Sequence, residues 1–170
     1  LNIDPEPQLL ASILAKKMAV GSKYVLIDIP AGAGAKVSVS QARSLGKKFS
    51  SLGKKLGMHV QVIPTEGKEP IGNGIGPMLE MRDILRVLRR QENAPKDLEK
   101  KSVLLAGTIL EMMHKASKGK GKSLAQDILN SGKALEKFQE IIEAQHGSFD
   151  RLREAPLKFP VLSKKSGKVK

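Results

Sequence analysis

The order of elements between Lys23 and Ile63 constrains this chain more than any other feature. Lys23-Tyr-Val-Leu-Ile-Asp-Ile29 is a short apolar run of β-branched and aromatic residues, the composition of a buried strand. Pro30-Ala-Gly-Ala-Gly-Ala-Lys36 follows as a small-residue turn. Ser40 reads as the cap of a helix that runs to about Leu56, with Gly57 as its stop. Met58-His-Val-Gln-Val-Ile63 is a second strand, ending at Pro64. Two strands joined through a helix cannot close as a hairpin. The chain must cross over, so the strands pair in parallel. The expected class is α/β, a parallel sheet fragment with flanking helices.

The flanks are helical. Leu9, Leu10, Ile13 and Leu14 form an apolar stripe at helical spacing within a helix from Pro7 to Val20. Pro7 suits a first turn, Lys16 and Lys17 face the negative end of the dipole, and Gly21 ends the segment. Beyond the second strand, Gly72-Asn-Gly-Ile-Gly-Pro77 breaks the chain before a helix from Pro77 to about Gln91. Asn93-Ala-Pro95 makes a turn, and three more helices are predicted: Lys96 to about Ser117, Ser123 to Asn130, and Gly132 to Ala144. Met78, Met81, Met112 and Met113 are expected to pack inside. Pro156 to Leu162 reads as a strand or an extended exit, and no internal repeat is evident.

Composition narrows the setting. Aromatic residues are only 3% of a chain that is 40% hydrophobic, so the core must be aliphatic. The absence of Cys rules out disulfide and thiolate chemistry and fits a reducing, cytoplasmic interior. No apolar run approaches the roughly 18 residues of a membrane span, and no signal-peptide pattern is visible. The chain starts at Leu1 and closes on Ser163-Lys-Lys-Ser-Gly-Lys-Val-Lys170; both ends are expected to continue into a longer protein. Thirty Lys and Arg against 17 Asp and Glu leave +13. That surplus suits phosphate-bearing partners, or an evenly solvated basic surface, since lysines occur in every segment. Scarce stacking aromatics and the lack of a recognised binding motif argue against nucleic acid as the partner.

One constellation could carry chemistry. Ser12 and Lys16 are four apart and share a helix face, and Asp4 stands just ahead of that helix. A carboxyl, a hydroxyl and an ammonium could meet on one polar ligand. Spacing alone equally allows a helix-start acid, a surface serine and a lysine that complements the dipole. Other patterns carry less. Ala116-Ser-Lys-Gly-Lys-Gly-Lys-Ser123 has the spacing of a relaxed P-loop but follows a helix instead of a strand, so it reads as a solvated connector. Gly72-Asn-Gly-Ile-Gly76 shares only glycines with a dinucleotide loop, and reads as a loop near a cleft or simply a turn. His59, His114 and His146 have no ligand-like spacing, so no metal is expected.

Ala11-Ser-Ile-Leu-Ala-Lys-Lys-Met-Ala19, followed by a strand and a small-residue loop, resembles the thymidine/pyrimidine-nucleoside phosphorylase family. The resemblance continues through Gly74-Ile-Gly-Pro-Met-Leu-Glu-Met-Arg-Asp83 and Ile141-Ile-Glu-Ala-Gln-His-Gly147, nearly the whole chain. Tyr24-Val-Leu-Ile-Asp-Ile-Pro30 and the loop ending at Lys36 are similar to the branch of archaeal AMP phosphorylases. The resemblance implies a nucleoside phosphorylase/phosphoribosyltransferase type of catalytic domain. It also implies phosphorolysis of a nucleoside 5′-monophosphate, AMP and phosphate giving adenine and ribose 1,5-bisphosphate. On this reading Asp4 is the proton donor, Ser12 and Lys36 contact AMP, and Lys16 joins Ser12 at the base. Inorganic phosphate is a co-substrate, and no cofactor is required. Residues 1–20 would then be a helix of a small helical lobe, with a hinge at Ala19 to Lys23. Residues 21–155 would be part of the α/β domain, and residues 156–170 an exit toward a further domain. The family's glycine-rich phosphate loop has no counterpart in these 170 residues. Resembling enzymes form dimers through the helical lobe, which implies a homo-oligomer for the whole enzyme. A phosphoribosyltransferase of similar build is an alternative, against which the Ser12 and Lys16 pair argues.

Overall fold

The computed structural model describes residues 5–149 and 155–167. Among these, the chain forms α1 (Glu6–Ala19), β1 (Tyr24–Ala31), α2 (Val39–Lys55), β2 (His59–Glu66), α3 (Pro77–Leu88), α4 (Lys96–Met112), α5 (Gly121–Asn130) and α6 (Lys133–Ala144). The strands pair in parallel, in a register running from Tyr24 opposite His59 to Ala31 opposite Glu66. The α/β class expected from the crossover is the observed one.

Local chemistry sets the element ends, with some departures from expectation. Helix α2 is capped by Ser38, not Ser40: Gln41 N donates to Ser38 Oγ, and Ser38 N donates to Gln41 Oε1 at 2.8 Å. A Ser followed three residues later by Gln is a reciprocal box that satisfies two backbone donors, which Ser40 cannot match. Strand β2 continues through Pro64 to Glu66, because each strand of a two-stranded sheet has a free edge where a missing N–H is tolerated. The segment at 155–167 forms no strand.

Two aliphatic clusters hold the molecule. In the first, Leu10 and Leu14 of α1 meet Val25, Ile29 and Ala31 of β1 and Ala42, Leu45 and Phe49 of α2. Strand alternation aims one face of the sheet at these helices. The second cluster joins Val87, Ala94, Val103, Ala125 and Leu129 across α3 to α5. Helices α4 and α5 cross at glycines: a Cβ on Gly107 would lie 2.5 Å from Lys122 N, and one on Gly121 would lie 2.0 Å from Gly107 O. Met78 and Met113, expected inside, are exposed, and Met58 is the buried one. The buried residues of α3, Asp83, Leu85 and Val87, lie in its later turns, beyond Met78 in the first turn, while Met113 lies just past the end of α4.

The second face of the sheet meets α4. Lys101 Nζ of α4 lies 2.6 Å from Asp28 Oδ2, and Thr65 Oγ1 donates to Asp28 Oδ1 at 2.6 Å. This joins the two clusters across β1. A cavity of about 320 Å³ lies beside the pair, lined by Leu26, Asp28, Leu105, Ala106 and Ile109.

Candidate functional site

Ligands of parallel α/β sheets bind beyond the carboxyl ends of the strands, where connecting loops gather. Two loops meet here. The first follows Ala31 and is a closed turn: Gly32 N donates to Val37 O at 3.1 Å, and Ala35 N to Gly32 O at 3.2 Å. Gly32 and Gly34 hold φ of 142° and 84°, which a side chain would oppose. The turn places Lys36, exposed, immediately ahead of the Ser38 cap. Its position is therefore set by backbone on both sides.

The second loop follows Glu66. Gly67 N donates to Ala31 O at 3.0 Å, and a Cβ at Gly67 would meet Pro30 C at 2.9 Å. Only a glycine lets this loop lie against the end of β1. Further along, carboxylates hold the glycine-rich stretch. Asp83 Oδ2 accepts from Asn73 N at 2.6 Å and Gly74 N at 2.8 Å, Glu80 Oε1 accepts from Gly76 N at 2.9 Å, and Asp97 Oδ2 accepts from Gly72 N at 2.9 Å. Asp83 is only 2% exposed. Burial pushes its carboxyl up, but the two amides and the Arg86 guanidinium outweigh burial and hold it below the ordinary 3.8. Gly72 to Gly76 thus lies between β2 and α3 but is separated from the strand end by residues 67–71, and its amides are taken by carboxylates, unlike the tight phosphate-facing turn of a dinucleotide loop.

The remaining candidates lie on α1 or ahead of it. Ser12 and Lys16 are both exposed, one turn apart on α1. Glu6 pairs with Lys48 and ties the first turn of α1 to α2. Asp4 lies outside the described residues. Among the described residues no hydrogen bond or ion pair links Ser12, Lys16 and Lys36 to one another. Sequence reasoning did not single out Asp28 or Asp83 as structural anchors; an acid inside an otherwise apolar strand, as at Asp28, was the available signal.

The backbone amides of the other glycine pattern are already engaged within the chain. Gly121 N donates to Glu111 Oε1 at 2.8 Å. The amides of Gly119 and Gly121 lower the Glu111 carboxyl, so an internal anion occupies the start of α5. Among the described residues no group of three or more His, Asp or Glu is placed to hold a metal. None of their helices is long and apolar enough to cross a membrane.

No protein-family model matches the chain. Curated relatives do. A Methylococcus capsulatus protein provisionally named thymidine phosphorylase is 45% identical over 170 residues, which are 99% of this chain and 33% of that protein. The AMP phosphorylase of Methanococcus aeolicus is 47% identical over 158 residues, 92% of this chain and 31% of that protein. The AMP phosphorylase of Methanococcus maripaludis is 46% identical over the same length, again 31% of that protein. The chain therefore spans about a third of the length of the curated relatives it matches. Both names occur at nearly equal identity, which supports the family-level resemblance.

Proposed function

We propose that this chain contributes part of the active site of a phosphorylase that splits a nucleoside 5′-monophosphate, with AMP the preferred substrate. The carrying observation is the 47% identity to an AMP phosphorylase over 92% of the chain, a span that includes the closed turn carrying Lys36. In the reaction an oxygen of inorganic phosphate bonds to C1′ as the N-glycosidic bond breaks, and a proton passes to the departing adenine. Asp4 supplies that proton. A carboxyl with an ordinary value near 4 is ionised at neutral pH, so Asp4 must be raised by desolvation or by the phosphates beside it. Protonating the base lowers the cost of its departure from a C1′ with oxocarbenium character. Lys36 pairs with a phosphate, either the 5′-phosphate or the incoming one. Ser12 and Lys16 hold the base from the exposed face of α1. Closure about Ala19 to Lys23 brings the α1 side toward the loop of Lys36 and excludes water. The whole enzyme is a homo-oligomer that uses no cofactor.

A substrate panel on the full-length protein, scoring free base with phosphate present, tests this reading. Adenine from AMP is expected to form fastest. Thymine from thymidine, with AMP inert, would instead establish a pyrimidine-nucleoside phosphorylase, the reading favoured by the Methylococcus capsulatus relative.

A further inference from the structure

Helix α4 runs antiparallel to β1: Lys101, near its start, meets Asp28, while the turn after it reaches Gln61 near the start of β2. A groove of about 660 Å³ opens there, at the end of the sheet opposite Lys36. Its lining includes Gln61, Glu111, His114, Lys115, Ser117 and Lys118. That volume is on the scale of a small-ligand site, roughly 300–1,000 Å³.

The lining is cationic. Lys115, Lys118 and His114 are exposed. The one carboxylate, Glu111, accepts from the amides of Gly119 and Gly121 and is also attracted by Lys118, and the two lysines still leave the lining with a positive surplus. The end of α4 is closed as well: Lys115 N and Ala116 N both return to Leu110 O, with His114 at φ 56°. An aromatic pair stands one same-face strand position from Gln61 of the lining. The Tyr24 and His59 rings stack 5.2 Å apart at 17°, and strand alternation puts His59 on the same face as Gln61. Two ammonium groups, a hydroxyl and an imidazole beside stacked rings form a receptor for a phosphate joined to a planar base.

We propose that this groove binds a mononucleotide, its phosphate on Lys115 and Lys118 and its base against the Tyr24 and His59 rings. The groove's volume suits one nucleotide. The proposal is independent of the phosphorolytic reading, because it uses none of its residues.

The test is a titration of the isotopically labelled 170-residue chain with AMP, followed by backbone amide resonances. Saturable shifts are expected at residues 59–61 and 114–118. Lys115→Glu with Lys118→Glu should weaken them at least tenfold with the melting temperature unchanged, and Lys36→Ala should leave them in place. Shifts confined to residues 32–38 would overturn the proposal, as would equal affinity in the double variant. So would equal shifts with inorganic phosphate alone. An oligonucleotide that moves the same signals with affinity rising steadily with its length would also overturn it, assigning the groove to a single strand.

Discussion

At the scale of single residues, Asp83 carries the loop after β2. Its carboxylate accepts from Asn73 N, Gly74 N and Arg86 while nearly excluded from solvent. Hydrogen bonds to a buried charge are each worth roughly 1.5–3 kcal/mol, and Asn can replace only part of them. Asp83→Asn is therefore expected to lower stability by about 3 kcal/mol in urea melts at neutral pH. The pH dependence follows from the folded carboxyl lying below its ordinary 3.8. In that window the unfolded chain binds the extra proton, so the contribution is complete above 3.8 and is lost as pH falls through the folded value. The variant should accordingly show a shallower loss of stability on acidification than the parent; an identical slope would remove Asp83 as a source of it. Asp4 belongs to this scale as well. In the full-length enzyme, Asp4→Asn should reduce kcat by about 10²–10⁴ with the fold intact, the range of a lost general acid. Retained activity would end its assignment as proton donor.

At the scale of elements, helix ends and crossings decide which segments hold. Ser38→Ala removes the reciprocal cap of α2 and should cost about 1 kcal/mol, with Ser40→Ala costing less. Gly107→Ala would raise the intrinsic helix propensity of α4. Its Cβ would nevertheless stand 2.5 Å from the backbone of Lys122, so the helices must separate. A net loss of about 1–3 kcal/mol is expected from that overpacking, measured by thermal melts. The elements themselves were largely legible. The helix stripe of Leu10 and Leu14, the apolar run at Val25 to Ile29 and the crossover between strands are local patterns, and each appears where its period places it. The end of β2 was not, because Pro64 reads as a stop in sequence and is harmless on a free edge. The Ser38 cap was legible but missed: Gln41 stands three residues after Ser38, whereas Arg43 stands three after Ser40, so only Ser38 fits the reciprocal box.

At the scale of the whole molecule, Leu157, Phe159, Val161 and Leu162 are each more than 80% exposed. This is more apolar surface in one short stretch than a polar chain end needs. Replacing these four by Ser should reduce binding of a hydrophobic dye and self-association of the 170-residue chain without changing its helical circular dichroism. The chain's span of about a third of its relatives also bears on activity. Under the proposed function the glycine-rich phosphate loop belongs to the rest of the enzyme, so these 170 residues alone should release no adenine from AMP and phosphate. By itself, the sequence determined the periods, and with them the helices, the parallel pairing and an aliphatic core, because each depends on neighbours a few residues apart. Tertiary structure alone decided that Asp28 meets Lys101, that Gly107 admits Gly121, and that the glycines from 72 to 76 are held by Asp97, Asp83 and Glu80. These contacts depend on how helices lie against the sheet, and no local pattern encodes that.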